Sequence, residues 1–353
     1  MNFDETIPKD APILVTGAGG FIGARVVERL LERGFRHVRC LARPSGDTSK
    51  FEALAARCRD GARIEVVKGN LLSRDDCATA TKDVALILHL AAARGEKSFP
   101  DAFMNSVVTT RNLLDAAVRQ ETLRRFVTVS SFAVYTNTGK PRFRLLDETC
   151  PVEQHPERRG HAYTFAKAKQ DEIVKEYGEK FGLPYVIVRP GYVYGVGNEA
   201  ITNRVGIGTF GVFLHLGGSN PIPFTFVDNC ADAIVLAGLT KGVDGQVFNV
   251  VDDDLPSSRQ FLRLYKRKVR RFTSIYLPKA LSYTLCSLWE KYSAWSEGQL
   301  PPAYNRLGWH AFWKRTRYSN NKAKDLLGWK PLVPTSKALD IYFESCREKL
   351  RRA

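Results

Sequence analysis

Metal-ligand spacing is absent from this chain. It has no Cys-x-x-Cys and no paired histidine ligands, so a structural metal site is not expected. The seven cysteines, Cys40, Cys58, Cys77, Cys150, Cys230, Cys286 and Cys346, are scattered and odd in number. That usage fits a reduced, cytoplasmic compartment. The start, Met1 to Glu5, is acidic and lacks the apolar run of a secretory signal. Long membrane-spanning runs are missing too. The longest uncharged part of the aromatic region near the C-terminus, 280–289, is far below the ~20 residues a bilayer span needs. The stretch 205–227 is also uncharged but holds five Gly and two Pro, and reads as a flexible loop over a substrate. No internal repeat or low-complexity tract is visible.

Acidic residues are in deficit, 37 against 53 Lys and Arg, for a net charge of +16. Such an excess raises nucleic acid as a partner. No nucleic-acid motif appears and the basic residues are widely spread, so a small-molecule partner is expected and nucleic acid is not.

What is present begins with the run 12–23, PILVTGAGGFIG. An apolar strand, 13–15, enters a glycine turn that opens a helix with Ile22, Val26, Val27, Leu30 and Leu31 at helical spacing. In that context the motif is a dinucleotide-binding turn. Gly17 allows the turn, Gly20 lets the backbone approach a pyrophosphate, and Gly23 lets the helix pack on the strand. The free amides at the helix start hold the phosphates. Farther on, YTFAK places Tyr163 and Lys167 four apart, on one helical face. A phenol with a pKa of about 10 is a poor base at neutral pH. A neighbouring ammonium favours the phenolate, so the pair suits proton transfer.

Together these residues resemble the extended short-chain dehydrogenase/reductases, the superfamily of NAD-dependent epimerases/dehydratases and hydroxysteroid dehydrogenases. The resemblance covers nearly the whole chain. TGAGGFIG (16–23) matches Thr-Gly-x-x-Gly-x-x-Gly, and Tyr163/Lys167 match Tyr-x-x-x-Lys. FVTVSSFAVY (126–135) resembles the strand with the catalytic serine, and its spacing to Tyr135 selects Ser131 over Ser130. LILHLAA (86–92) resembles the strand beside the nicotinamide, with Ala91 near the cofactor. Asn105, taken to open a helix over 106–118, matches the asparagine that orders a proton relay. VRPGYVYG (188–195), FTFVD (224–228) and LLGWKP (326–331) resemble later segments.

The implied fold is α/β: a Rossmann-type doubly wound parallel sheet with a smaller C-terminal substrate-binding lobe. Alternating strands and helices from 13 to about 192 agree. Further strand candidates are 37–41, 63–67 and 185–188, with one more returning at 247–251. The cofactor domain is expected over 1–190, and the substrate lobe over 191–245 and 252–353. The family often forms homodimers through two helices per subunit.

The implied chemistry is NAD(P)-dependent hydride transfer. Tyr163 exchanges the proton, Lys167 holds the cofactor ribose and lowers the Tyr163 pKa, Ser131 binds the reacting oxygen, and Asn105 holds a relay water. Thr16, Gly17, Gly20, Phe21, Ile22 and Gly23 line the phosphate turn. No carboxylate follows the second strand until Asp47, whereas Arg43 suits a ribose 2′-phosphate; NADP is thus favoured over NAD. Asn70 and Leu71 resemble an Asp-Leu step near the adenine, with the charge removed.

The substrate is less constrained. The segment 314–331 resembles the hydroxysteroid dehydrogenase and dihydroflavonol reductase branches, which act on bulky, partly apolar alcohols or ketones, and Arg43 and the aromatic-rich stretch 275–313 suit that reading. A nucleotide-sugar epimerase that retains NAD is the alternative. Phe132 after Ser131 removes the Asp-Glu pair of a dehydratase. A non-catalytic dinucleotide sensor on this fold is a third reading, disfavoured by the intact Ser131, Tyr163 and Lys167. Finally, the basic cluster KRKVRR (266–271) leads into Leu277, Leu281, Tyr283, Leu285, Leu288, Trp289, Tyr292 and Trp295. This region, 266–295, reads first as a core helix of the substrate lobe with a solvated basic face. Its alternative is peripheral contact with an anionic membrane.

Overall fold

The computed structural model describes residues 7–56, 61–92, 98–138, 145–297, 299–300 and 304–352. The acidic start and Cys58 lie outside them. In chain order the main elements begin with β1 (Ile13–Thr16), α1 (Phe21–Glu32), β2 (His37–Ala42), α2 (Ser49–Ala55), β3 (Arg63–Lys68), α3 (Arg74–Thr81) and β4 (Leu86–His89). The helix α4 runs through Phe99–Ala102, is π-wound over Phe103–Val108, and continues over Thr109–Ala117. There follow β5 (Arg125–Val129), α5 (Ala162–Phe181), β6 (Tyr185–Pro190), α6 (Val227–Leu239) and β7 (Val247–Val250). The chain ends with α7 (Ser258–Lys268), α8 (Lys279–Trp295), α9 (Arg306–Phe312), α10 (Asn321–Leu327) and α11 (Thr335–Arg352).

Seven strands form one parallel sheet in the order β7-β6-β5-β4-β1-β2-β3. Strands covered on both faces must be apolar along their whole length. Ile13, Leu14 and Val15, and likewise Leu86, Ile87 and Leu88, are fully buried. On one face Val26, Val27 and Leu30 of α1 pack with Cys230, Ile234 and Val235 of α6. On the other, Leu113 and Leu114 of α4 pack with Ile173 and Val174 of α5. The fold is therefore the doubly wound, Rossmann-like α/β class, with smaller sheets contributed by the later chain.

Outside the sheet, Tyr194, Phe224, Phe226, Phe261, Tyr342 and Phe343 build an aromatic core. Asn229 clamps the C-terminal chain: its side-chain amide donates to Asp252 (2.8 Å) and to the Val333 carbonyl (2.9 Å), and its oxygen accepts from the Val333 amide (2.9 Å). The buried indole of Trp329 donates to the Asn229 carbonyl at 3.1 Å.

Two expectations fail here. About half of the stretch 205–227 is paired strand. Gly206–Thr209 and Val212–His215 form an antiparallel hairpin, and Phe224–Phe226 pairs with Tyr192–Tyr194. The hairpin turns on Phe210 and Gly211, both at positive φ (45° and 75°), as a two-residue turn of this hand requires. Gly206 belongs to the strand because a Cβ there would meet the Leu214 carbonyl oxygen at 2.0 Å. Gly206 thus marks close pairing, whereas Gly208 and Gly211 face open space. The second failure is α8. It is not a core helix, since its buried residues are only Ser282, Cys286 and Ser293.

Candidate active site

Strand order reverses between β1 and β4, which opens a crevice at the carboxyl ends of the strands. β1 ends at buried Thr16, and the chain turns at Gly17 with φ +70°. A Cβ on Gly17 would lie 2.9 Å from the Ala91 amide nitrogen, so the turn and the chain after β4 pass backbone to backbone. Gly23 is more constrained still: its Cβ would fall 2.1 Å from the Gly17 carbonyl oxygen. Gly20 is exposed, and its Cβ would meet only that oxygen, at 3.1 Å. Gly20 caps α1 without a side chain, and the first turn carries no acidic residue. With no acidic side chain in that first turn, the amides and the positive end of the helix dipole at Phe21 and Ile22 fit a dinucleotide's phosphates.

A buried polar chain links this turn to α4 and α5. Thr16 Oγ1 accepts from the Ala91 amide (3.2 Å) and lies 2.8 Å from His89 Nδ1. His89 Nε2 lies 2.9 Å from Thr110 Oγ1. The Thr110 hydroxyl donates to the Ser106 carbonyl at 2.6 Å, so its single proton is used there. It follows that His89 carries its proton on Nε2 and accepts from Thr16 at Nδ1. Burial pushes the His89 pKa down to about 3, with Lys167 adding to the effect, so the ring is neutral. Gln170 completes the chain by donating to Thr110 at 2.7 Å. Sequence reading did not single out His89, Thr110 or Gln170. The available signal was a histidine closing an otherwise apolar strand.

Tyr163 and Lys167 lie one turn apart on α5. The Tyr163 ring is partly exposed, whereas Lys167 is buried and donates from Nζ to the Val129 carbonyl at 2.7 Å. Burial lowers the Lys167 pKa to about 8, against the opposing pull of Asp171. Asp171 is itself gripped by Arg189 at 2.7 and 3.0 Å. Val129 is the last residue of β5, which brings Lys167 close to Ser130 and Ser131. Ser131 caps the short helix Phe132–Val134, its oxygen accepting from the Ala133 amide at 3.1 Å. The Ser130 hydroxyl is buried with no hydrogen-bond partner among the described residues.

Asn105 is placed differently from the expectation. The helix starts at Phe99, capped by Ser98, with Pro100 in the first turn where its missing N–H is harmless. Asn105 thus falls inside the π-wound turns, a geometry that recurs at functional sites. Its carbonyl accepts from Thr109 Oγ1 at 3.0 Å.

The remaining cofactor candidates follow the other strand ends. Arg43 is exposed just after β2. Asp47 bonds the Ser49 amide at 2.9 Å. After β3, the Asn70 side chain accepts from the Leu72 amide (3.0 Å), and its own amide donates to Asp76 (2.7 Å). The carboxylate missing from position 70 thus has a neighbour in Asp76. Leu71 is buried, and its carbonyl accepts from Asn112 at 3.0 Å.

A pocket adjoins Ser131, lined by Phe132, Tyr135, Leu146, Phe312 and Tyr318, with Arg159, His161 and Arg204. Phe132 stacks on Tyr318, ring centres 5.6 Å apart. Both arginines are engaged by the protein. Arg159 donates to the Ala133 and Tyr135 carbonyls, and Arg204 to the Ala311 carbonyl (3.1 Å) while lying over the Phe312 ring. Burial and Arg159 both lower the His161 pKa.

The profile described as the NAD dependent epimerase/dehydratase family matches residues 13–250. The chain belongs to that family. It is an enzyme family of the extended short-chain dehydrogenase/reductase superfamily. The chain is 28% identical over 261 residues to a trifunctional UDP-glucose 4,6-dehydratase/UDP-4-keto-6-deoxy-D-glucose 3,5-epimerase/UDP-4-keto-L-rhamnose-reductase of Arabidopsis thaliana. That match uses 70% of this chain and spans only 38% of the relative's length. It is also 25% identical over 353 residues to a 3-beta-hydroxysteroid dehydrogenase of Mycolicibacterium neoaurum, covering 95% of this chain and 92% of the relative. In fold, this family member resembles a Bacillus cereus UDP-glucuronic acid 4-epimerase solved with UDP-glucuronic acid and NAD. The TM-score is 0.71 at 21% identity, over 96% of this chain and 99% of that one.

Proposed function

We propose that this family member is a dehydrogenase or reductase for the secondary alcohol or ketone of a bulky, partly apolar substrate. The observation that carries this reading is the aromatic pocket beside Ser131, whose two arginines already serve protein carbonyls. A diphosphate would find few uncommitted cations there, whereas the lining of Phe132, Tyr135, Leu146, Phe312 and Tyr318 suits an apolar group. The end-to-end likeness to a hydroxysteroid dehydrogenase supports the same reading.

Bound NAD(P) supplies the hydride acceptor or donor. The α1 amides, Thr16, Gly17, Gly20, Phe21, Ile22 and Gly23 hold its phosphates and the adjoining backbone. Ala91 would lie beside the nicotinamide, and Asn70 and Leu71 beside the adenine. Arg43 favours the 2′-phosphate of NADP, since a guanidinium grips it with two hydrogen bonds. Tyr163 passes the proton to or from the reacting oxygen. Lys167, held at the end of β5, favours the Tyr163 phenolate and binds the ribose. Ser131 hydrogen-bonds the reacting oxygen as charge develops on it. Asn105 holds a water that connects the site to solvent.

A second reading, a nucleotide-sugar epimerase that retains NAD, is supported by the 28% identity to the UDP-sugar enzyme. Extracting the purified protein separates the two. Empty protein that turns over only with added NADP supports the reductase, and tightly held NAD favours the epimerase. Tyr163→Phe keeps the ring and removes the proton, so turnover should fall by about 100-fold or more while dinucleotide binding persists. Near-normal turnover of that variant would remove Tyr163 from the mechanism.

A further inference from the structure

We propose that α8 and the strand before it dock this enzyme on an anionic lipid surface. The helix is amphipathic with its polarity inverted. The side turned to the protein carries Ser282, Cys286 and Ser293. Ser282 Oγ accepts from the Trp309 indole at 3.0 Å, and Ser293 Oγ donates to the Leu300 carbonyl at 2.6 Å. Tyr283 and Trp289 stay half-buried against Trp309 and Tyr304, and the other large apolar side chains face away. Leu281, Leu285, Leu288, Tyr292 and Trp295 are all exposed, Trp295 to 76%. They recur at alternating intervals of four and three, which places them on one stripe. Tyr292 and Trp295 stack with ring centres 5.7 Å apart, so two large rings are held together at the surface. In the strand Ser274–Tyr276, one short step before the helix, Ile275 and Tyr276 are exposed as well. A contiguous apolar stripe of this kind marks an interaction surface.

Charge identifies the occupant. Between residues 255 and 296 the chain has nine basic side chains and a single carboxylate, Glu290. That carboxylate is paired with Arg306 at 2.9 Å. Arg263, Arg267, Arg270 and Arg271 are exposed along α7 and the turn that follows it. A second copy of this chain brings the same positive field and is repelled by it. A nucleic acid answers the charge but offers no hydrocarbon for the five side chains of the stripe. An anionic bilayer supplies both headgroup charge and hydrocarbon, and its interface accommodates Trp and Tyr. None of the helices among the described residues is long and apolar enough to cross a membrane, so α8 lies in the plane of the surface.

The test is flotation of the purified full-length enzyme with vesicles, either phosphatidylcholine alone or phosphatidylcholine mixed with phosphatidylglycerol. The enzyme should float with the mixed vesicles at low salt, stay behind with phosphatidylcholine alone, and be released at high salt. Replacing Arg263, Arg267, Arg270 and Arg271 by Gln should weaken binding roughly fivefold for each charge that meets the surface. The triple variant Leu285→Ser/Leu288→Ser/Trp295→Ser changes only outward side chains. Its circular dichroism and thermal melt should match the parent, while vesicle affinity falls by about tenfold or more. Failure of the parent to float at low salt overturns the proposal. So does a triple variant that floats as well as the parent, because charge alone then explains binding. A parent dimer that the triple variant dissociates, with no vesicle binding by either protein, overturns it in favour of a second copy.

Discussion

Replacing Lys167 with methionine tests the electrostatics of the site. The ammonium is buried against the Val129 carbonyl, and burial lowers its pKa from 10.5 to about 8. At 1.36 kcal/mol per pKa unit, holding the charged form in the ligand-free fold costs about 3 kcal/mol at neutral pH. The sign follows from proton binding. Below pH 8 both folded and unfolded chains keep the proton, and the full cost is present. Between about pH 8 and 10.5 the folded protein has released the proton while the unfolded chain still binds it. Stability therefore rises with pH across that window, and the cost is gone above it. Methionine keeps an unbranched apolar stem but has nothing to titrate. Urea unfolding near pH 7 and near pH 10 isolates the effect when both proteins also carry Tyr163→Phe, which removes the one neighbour the ammonium is proposed to tune in this range, so that the remaining groups cancel in the difference. The lysine protein should gain about 2.5 kcal/mol on the methionine variant between the two conditions, with equal urea slopes. A difference that stays flat, or that moves toward the variant, would show that the amine is not held at a lowered pKa. The variant should also be inactive.

The glycines of the phosphate turn should respond unequally. Gly23→Ala, with its Cβ 2.1 Å from the Gly17 oxygen, should abolish dinucleotide binding in calorimetry and lower the melting temperature, whereas Gly20→Ala at 3.1 Å should keep the fold. Equal behaviour of the two variants would refute the packing argument. Ala42→Asp places a carboxylate beside Arg43 and should shift preference from NADP toward NAD by about tenfold or more in kcat/KM. Wild-type enzyme that already uses NAD at least as well as NADP would invalidate the reading of Arg43. Asn229→Ala removes three hydrogen bonds and leaves Asp252, whose pKa burial raises to about 6, with one donor fewer. Urea unfolding should register a loss of about 3 kcal/mol. A loss below about 1 kcal/mol would mean the clamp contributes little.

The sheet is legible in the sequence alone. The runs at 13–15, 37–41, 63–67 and 185–188 became strands of the observed sheet with ends shifted by a residue or two. Strands buried on both faces, such as β1, need continuous apolar sequence, and that requirement is local; β3, at the sheet edge and nowhere fully buried, is not held to it. The glycine turn was legible for a related reason: Gly17 must reach φ +70°, and Gly23 must tolerate a carbonyl where a Cβ would stand. Both constraints act within a few residues of chain. The start of α4 was misread because a cap at Ser98 and an early proline, not the apolar pattern beyond Asn105, decide where it begins.

Contacts distant in sequence decided the rest. Nothing near His89 foretells Thr16 at one ring nitrogen and Thr110 at the other. Nothing near Lys167 foretells that its amine ends on Val129, 38 residues earlier. Glycine-rich 205–227 reads as loop until the pairing of Gly206–Thr209 with Val212–His215 supplies the hydrogen bonds, with Gly206 held against the Leu214 carbonyl. The aromatic helix α8 shows the limit most clearly. Its sequence determines that it is helical and has an apolar stripe, because periodicity is a property of the chain alone. Which side of that helix meets the protein is decided by what stands opposite it. Here that is an indole from Trp309 seeking an acceptor, and the carbonyl of Leu300 seeking a donor. The serines satisfy those groups only by facing inward, and the leucines and Trp295 are left outside.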